Sequence, residues 1–222
     1  GGFLSYGAKD FDQNLNCLLD SGESVAFHTI WSKSLIEAGP ADYSKSTFGD
    51  ITVDLSSGQL AMTIDAEILG VWAERAKDSA AKGKLAYAPP PAGPDGKRVS
   101  GLWVWAYAMN SASKNKDAAW KFIQWTTSKD MDVQDITKGN KILPIRKSTQ
   151  ANKDVQAEQE KFTGLRETIE KTLPITVPGY TPQNHFFEFT TEWSAALQRM
   201  ISDKKPVKDS LTEVVNVMKR MK

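Results

Sequence analysis

The sequence predicts an α/β fold on two observations. Short runs with period-two alternation are followed by segments whose apolar residues recur at three- and four-residue spacings. One of the predicted strands is apolar on both faces, which is typical of the centre of a sheet covered by helices. With 222 residues, the chain is long enough for one large or two modest domains.

Five segments have the apolar spacing of amphipathic helices. They are residues 20–39, 68–76, 119–126, 189–201 and 207–218. The first is predicted to end at Gly39-Pro40, and the last two are separated by 203–206. Asn115 is predicted to cap the third. Residues 150–172 are charged and polar, which predicts exposed helix with few core residues.

Three segments predict strands, namely residues 60–64, 84–88 and 101–109. The third alternates two apolar sets and is therefore predicted to be a central strand. The first leads into a helix through Asp65, Ala66 and Glu67, which places these residues at the end of a strand where open α/β sheets bind ligands. Residues 89–96 are rich in Pro and Gly, and they predict a connector between lobes that ends in an Asp-Gly turn.

Composition and charge exclude several classes of protein. An apolar fraction of about 45% excludes disorder for most of the chain, and a net charge of +1 provides no broad basic field for nucleic acid. The longest apolar run has about nine residues, whereas a membrane-spanning helix needs roughly 20. The single cysteine, Cys17, excludes an internal disulfide and is predicted to be a buried free thiol. The first residues contain no sorting signal, so they predict no location.

The sequence contains few residues arranged as in known catalytic or metal-binding sites. The sequence contains no glycine-rich nucleotide loop and no Gly-x-Ser-x-Gly elbow. His28 and His185 are far apart in sequence, and each is predicted to be a packed or exposed side chain, so neither zinc chemistry nor a Ser-His-Asp triad is supported. A glycosidase needs only two carboxylates, and Asp65 with Glu67 is the first pair to consider. Glu67 is alternatively a first-turn acid that favours the helix dipole.

Seven tryptophans among 21 aromatic residues point to another chemistry. A tryptophan face stacks on the C–H face of a sugar ring, while nearby polar groups bind the hydroxyls. Trp120 and Trp193 lie within helices and are predicted to belong to the core. For Trp72, Trp103 and Trp105, core and ligand contact remain open alternatives. Asp65 would accept hydrogen bonds from hydroxyl groups in such a pocket.

Several segments together resemble the extracellular solute-binding receptors of bacterial ABC importers, in the sugar and polyol branch, which includes maltose-binding-protein-like receptors. The segments are Gly58-Gln-Leu-Ala-Met-Thr-Ile-Asp-Ala66 with Gly70-Val-Trp72, Ala88-Pro-Pro-Pro-Ala-Gly-Pro-Asp-Gly96, Ser100-Gly-Leu-Trp-Val-Trp105, Ser113-Lys-Asn-Lys-Asp-Ala-Ala-Trp-Lys-Phe-Ile-Gln-Trp125 and Leu143-Pro-Ile-Arg-Lys-Ser148. With the C-terminal helices, the resemblance spans nearly the whole chain. No single motif is specific for this family, but the order and spacing of the motifs together are.

The resemblance implies a periplasmic-binding-protein-like clamshell of two α/β lobes. Residues 1–99 and 151–222 would belong to the C-terminal lobe. Residues 100–150 would form a segment of the N-terminal lobe, with hinges at the crossovers. Gly1 would correspond to a point in the middle of a receptor, so the N-terminal part is expected to be missing.

The resemblance also implies the site residues, position by position. Asp65 matches an acid that faces the cleft in polyol-type members, and Trp72 matches an aromatic residue that follows it. Trp103 and Trp105 match tryptophans of the crossover strand, although Leu102 stands where a second Gly is common in the sugar branch. Arg146 matches a basic residue of the Pro-x-Arg-Lys-Ser element, which would clamp hydroxyls; the alternative is a surface arginine that faces solvent. Gln183, in the Pro-rich loop, completes the predicted ligand-binding set.

The function expected from this resemblance is capture without reaction. A sugar or sugar alcohol would be held between the two lobes and delivered to the permease subunits of an ABC transporter, outside the cytoplasmic membrane and without a cofactor. The alternative is a carbohydrate-active hydrolase that uses Asp65 with a second acid. Residues 100–150 are also expected to expose apolar strand edges that favour association.

Overall fold

A computed structural model describes residues 1–221 of the chain. The helices are α1 (Gly2–Ser5), α2 (Gly22–Ala38), α3 (Phe48–Ser57), α4 (Glu67–Arg75), α5 (Lys116–Thr126), α6 (Lys129–Thr137), α7 (Lys147–Gln150), α8 (Lys153–Glu160), α9 (Leu165–Thr172), α10 (Phe186–Ile201) and α11 (Val207–Met221). A 3₁₀ turn spans Leu173–Ile175. Two strands, β1 (Ser100–Leu102) and β2 (Thr176–Pro178), pair in parallel, with Ser100 opposite Thr176.

The chain divides into two compact units. The first comprises Gly1–Thr47, Pro89–Trp103 and the chain from Lys171 onward, and the second comprises Phe48–Ala88 and Val104–Glu170. In the first unit, α10 packs against α11 and both pack against α2. Its core consists of the following buried side chains: Phe11, Cys17, Leu19, Phe189, Ala196, Met200, Ile201, Leu211, Val214, Val215 and Met218. The apolar stripes predicted for the two C-terminal helices supply most of these side chains.

Helix α2 begins and ends where its sequence predicts. The Ser21 hydroxyl accepts a hydrogen bond from the Ser24 N–H at 3.3 Å, which satisfies one free donor of the first turn. Gly39 ends the helix, as expected. The buried face is offset from the predicted stripe, because Ser24 and His28 are buried whereas Ile30 is exposed.

The second unit has its own core between α4, α6, α8 and α9. The buried side chains are Val71, Ile136, Ile142, Val155, Phe162, Leu165 and Ile169. The prediction that residues 150–172 carry few core residues is therefore wrong. The segment is polar on average, but its large apolar residues are buried, with Val155, Leu165 and Ile169 on the inner faces of short helices and Phe162 between two of them.

The predicted strands are largely wrong within the described residues. Residues 60–64 are irregular and mostly exposed, and 84–88 contributes only an isolated bridge between Ala86 and Thr163. Of 101–109, only the first two residues lie in a strand, and the remainder is irregular and exposed. A strand is stabilised by hydrogen bonds to a neighbour, and among the described residues no segment pairs with 60–64 or 103–109.

Other local predictions have mixed outcomes. The connector 89–96 is irregular, and Gly96 adopts a φ of +80° in the Asp-Gly turn, a conformation that favours glycine. Helix α5 follows Asn115, but the Asn115 side chain makes no capping hydrogen bond. Trp193 packs against the core as predicted. Trp120 is 53% exposed, so its assignment to the core is wrong.

Candidate functional site

The six predicted ligand residues are divided between the two units. Trp103 and Gln183 belong to the first unit, and Asp65, Trp72, Trp105 and Arg146 belong to the second. Each unit therefore carries part of the predicted set.

In the first unit, Trp103 presents an open aromatic face. Its side chain is 62% exposed, and its ring meets Tyr180 edge-on with centroids 5.0 Å apart. Tyr180 in turn packs edge-on against Phe186 at 5.4 Å, and the neighbouring Phe187 is 79% exposed. These rings form an aromatic wall that runs from the surface to the core residue Trp193. Such a wall is suited to stacking on an apolar ring or chain face.

The loop that carries Tyr180 is anchored by a buried carboxylate. Asp10 accepts hydrogen bonds from the Thr181 hydroxyl at 2.6 Å and from the Thr181 N–H at 2.7 Å. It also accepts the Phe11 N–H at 2.9 Å. A cavity of about 290 Å³ lies beside this anchor, and its lining includes Lys9, Asp10, Tyr180 and Thr181. Burial raises the pKa of Tyr180, and the Asp10 charge adds to the shift.

Gln183 is held by its own loop. Its Oε1 accepts the His185 N–H at 2.8 Å, whereas its Nε2 is buried and makes no hydrogen bond. The side chain is therefore oriented, with both of its amide N–H donors unsatisfied. Sequence reasoning missed Tyr180, Phe186 and Phe187 as members of this region, although the aromatic pair beside His185 was the signal that marks it.

In the second unit, Asp65 lies in an irregular exposed segment and not at the end of a strand. Its Oδ1 accepts the N–H of Ala66 at 2.6 Å, and the side chain is open to solvent. Glu67 begins α4, which agrees with its interpretation as a first-turn acid. Burial raises the pKa of Glu67. Since residues 60–64 form no strand, the prediction that Asp65, Ala66 and Glu67 lie at the end of a strand is wrong.

Trp72 is half-buried and fixed by two contacts. Its indole N–H donates to the carbonyl of Asn140 at 2.8 Å, and its ring is perpendicular to Phe48 with centroids 5.8 Å apart. The N–H is therefore occupied within the unit, and only the ring surface is left for a ligand. Trp105, in contrast, is 93% exposed.

Arg146 is oriented by its surroundings. Its Nε and Nη2 donate to the carbonyl of Thr127 at 3.1 and 2.7 Å. The preceding residue is held as well, because the buried Asp132 carboxylate accepts the Ile145 N–H at 3.1 Å and pairs with Lys141. The guanidinium is exposed, so its outer N–H groups are open to a hydroxyl-bearing ligand.

The side chains of His28 and Cys17 have structural roles. His28 is buried, its Nδ1 lies 2.7 Å from the Ser24 carbonyl, and its Nε2 accepts the Trp193 indole N–H at 3.0 Å. Cys17 is a buried free thiol, as predicted, and burial raises its pKa to about 11. Across residues 1–221, no three His, Cys, Asp or Glu side chains are grouped so that they would hold a metal ion.

Known proteins are similar in sequence to this chain over long stretches. The family model for bacterial extracellular solute-binding proteins matches residues 2–133. An erythritol/L-threitol-binding protein of Mycolicibacterium smegmatis is 34% identical over 201 residues, which are 88% of this chain and 42% of that protein. A mannitol-binding protein of Pseudomonas aeruginosa is 28% identical over 124 residues, covering 56% of this chain and 28% of that protein. The chain thus spans less than half the length of either relative.

Solved structures show the same fold. Maltose-bound MalE3 of T. maritima superposes with a TM-score of 0.86 at 19% identity, over 99% of this chain and 56% of that one. A solute-binding protein of Agrobacterium vitis with bound D-mannitol superposes with a TM-score of 0.83 at 24% identity and the same coverage. These superpositions confirm the fold expected from the sequence. This chain represents part of a clamshell of the periplasmic-binding-protein type.

Proposed function

The chain belongs to the bacterial extracellular solute-binding proteins, and we propose that it is part of a receptor that captures a small sugar or sugar alcohol for an ABC importer. The observation that carries this proposal is the 34% identity to the erythritol/L-threitol-binding protein across most of the chain. The mannitol-binding relative points to the same ligand class.

We propose short linear polyols as the preferred ligands within this class. A polyol offers hydroxyls to polar side chains on all sides and C–H groups to an aromatic face. Trp103 would supply the aromatic face. The exposed carboxylate of Asp65 would accept hydrogen bonds from hydroxyls, and Arg146 would donate to hydroxyl oxygens. Trp72, Trp105 and Gln183 would complete the contacts.

Capture requires closure of two lobes over the ligand, which excludes water and creates the shape that a permease recognises. By the resemblance, residues 1–99 and 151–222 are proposed to contribute to the C-terminal lobe, and residues 100–150 to the N-terminal lobe. The two compact units divide the chain differently, because Val71, Ile136 and Val155 share one core. The crossovers between them would act as hinges. The permease subunits are the proposed partners.

The proposed location is the periplasm or the outer face of the cell envelope, in line with a family of extracellular proteins. None of the helices within residues 1–221 is long and apolar enough to cross a membrane. Members of this family bind their solutes and do not convert them, and the comparisons support this function over the hydrolase alternative.

A binding experiment tests the proposal. Thermal unfolding would be followed for this chain, and for a chimera in which the part of the erythritol/L-threitol-binding relative outside the matched region is joined to it. The additives would be erythritol, L-threitol, D-mannitol, ribitol and maltose. A ligand that binds only the folded form raises the melting temperature by mass action. We expect a polyol to stabilise the chimera and to be recovered unchanged, whereas release of a hydrolysis product would contradict the proposal. No shift with any additive would also reject it.

The role of Trp103 is tested in the same chimera. We expect Trp103→Ala to weaken polyol binding at least tenfold, because loss of a stacking contact costs on the order of 1 to 3 kcal/mol. Trp120→Ala is the matched control, because it removes another exposed tryptophan that is not in the proposed set. Equal affinities of the two variants would remove Trp103 from the site.

A further inference from the structure

Residues 138–146, which we call the α6–α7 connection, are held in place by side chains of other elements in the second unit. The connection contains no helix or strand, so its carbonyl groups need partners outside regular secondary structure. Four consecutive carbonyl groups, those of residues 139 to 142, accept hydrogen bonds from side chains of α4 and α8. The position of the connection is therefore set by side chains and not by its own backbone.

Arg75, the last residue of α4, makes two of these four attachments. Its Nη1 donates to the Gly139 carbonyl at 3.1 Å and, more weakly, to the Lys141 carbonyl at 3.5 Å. Its Nη2 donates to the Glu158 carboxylate at 2.9 Å. The guanidinium also lies over the Phe162 ring, with its central carbon 5.4 Å from the ring centroid. Both Nη groups of Arg75 are thus engaged within the unit.

The arrangement depends on the shape of an arginine side chain. The Glu158 carboxylate that pairs with Arg75 is buried, so it orients the guanidinium from a fixed position on α8. A guanidinium can bind a carboxylate with one nitrogen and a carbonyl with another, whereas a lysine ammonium carries a single nitrogen. Arg75 therefore fixes the α6–α7 connection relative to both α4 and α8.

The carbonyl between the two Arg75 acceptors binds the side chain of Trp72. The Trp72 indole N–H donates to the Asn140 carbonyl at 2.8 Å, and the residues on either side of Asn140 are those that Arg75 holds. Trp72 and Arg75 are three positions apart on α4, so their side chains are neighbours on that helix. The acceptor of the indole N–H is therefore held from both sides by one guanidinium.

We propose that Arg75 is a positioning residue, which orients the Trp72 ring for the ligand through the α6–α7 connection. This inference rests on the proposed function, in which the Trp72 ring contacts a sugar or sugar alcohol. A ring that is fixed before binding requires no further ordering by the ligand. If the ring were free, ordering it on binding would lower the affinity about two- to tenfold.

Exchange of the indole N–H with water tests the orientation of Trp72 in this chain without any ligand. The indole signals would be recorded by ¹⁵N NMR, and the signal that is lost in Trp72→Phe identifies Trp72. We expect Arg75→Ala to accelerate exchange of that N–H at least tenfold, because its acceptor loses the hydrogen bonds from a charged group. The Trp193 indole N–H, which donates to His28 in the first unit, should exchange at an unchanged rate.

Three further variants separate positioning from a general loss of stability. Arg75→Lys keeps a charge for Glu158 but loses the fork, so it should also accelerate exchange of the indole N–H. Arg166→Ala is the matched control, because Arg166 pairs with glutamates of the same unit. Leu165→Ala removes a buried core side chain of that unit but none of these hydrogen bonds. If either control accelerated the exchange as much as Arg75→Ala, the proposal would be overturned.

Polyol affinity tests the consequence for ligand binding in the chimera. The probe is whichever of erythritol, L-threitol and D-mannitol stabilises the unsubstituted chimera. We expect Arg75→Ala to weaken its binding about two- to tenfold. In the Trp72→Phe background, Arg75→Ala should cause no further loss, because the indole N–H through which it acts is already absent. An equal loss in both backgrounds would contradict the proposal.

Failure of the proposed function has a different signature. If the unsubstituted chimera bound none of the three polyols, the proposed function would be rejected. The exchange rate of the Trp72 indole N–H in the chain alone would still decide whether Arg75 orients the ring. If a polyol bound and Arg75→Ala left its affinity unchanged, the receptor function would stand and the positioning role of Arg75 would be refuted.

Discussion

Replacement of Asp10 by alanine should destabilise the first unit through loss of a single buried anchor. The carboxylate accepts two hydrogen bonds from Thr181, a residue distant in sequence, and one from the adjacent Phe11 N–H. Hydrogen bonds to a charged group contribute about 1.5 to 3 kcal/mol each. The local bond to Phe11 closes no loop, and water from the adjacent cavity would partly replace the other two. We therefore take the lower value for the two Thr181 bonds and expect a loss of about 3 kcal/mol.

The assay is urea denaturation followed by circular dichroism, combined with hydrogen exchange at the Thr181 amide. A loss of about 3 kcal/mol changes the unfolding equilibrium constant about a hundredfold. Asp10→Asn keeps one acceptor oxygen and should lose roughly half as much free energy. Asp65→Ala is the matched control, since Asp65 is exposed and accepts only from the N–H of the next residue. If Asp10→Ala and Asp65→Ala lost equal free energy, or if the Thr181 amide stayed equally protected, the anchor argument would be refuted.

Two further predictions concern the cores of the two units. Burial lowers the pKa of His28 in the folded state below its usual 6.5, so the unfolded chain binds a proton first. The free energy of unfolding should therefore fall as the pH drops below about 6.5, by at most about 1.4 kcal/mol per pH unit. Urea titrations at pH 7.5 and 5.5 should show this slope in the parent and in the control His185→Gln, and a slope retained in His28→Phe would contradict the prediction. In the second unit, Leu165→Ala removes a fully buried side chain and should lower the free energy of unfolding by about 2 to 5 kcal/mol. The control Leu173→Ala, at a half-exposed position in the first unit, should lower it far less. Similar denaturation midpoints for the two variants would show that 150–172 contributes little to the core.

Helices were the elements that could be predicted from the sequence. Their apolar spacing is a local property, and α2, α4, α10 and α11 lie where the spacing predicts them. Strand assignments failed at residues 60–64 and 103–109, because alternation shows only that a segment is suited to a sheet. Whether the sheet forms depends on residues distant in sequence, and among the described residues only β1 finds a partner, β2.

In the candidate site, too, the type of each side chain could be predicted from the sequence, but its contacts with distant residues could not. Residue chemistry singled out Trp103 and Asp65 as groups suited to a polyol, and the family resemblance added Arg146. The sequence contains no sign that Arg146 donates to the Thr127 carbonyl, that the Trp72 indole N–H is occupied by Asn140, or that Asp10 anchors the loop of Tyr180. Each of these contacts joins residues separated by at least 19 positions.

The order of the helices follows from apolar periodicity along the chain, and the family and the ligand class to test follow from the resemblance of its motifs to a known family. Which apolar residues become core followed different rules. Val155, Leu165 and Ile169 are buried in a polar stretch, whereas Trp105 and Phe122 remain exposed in an apolar one. Burial depends on the surfaces that folding brings together, and hydrophobicity along the chain does not specify which surfaces those are.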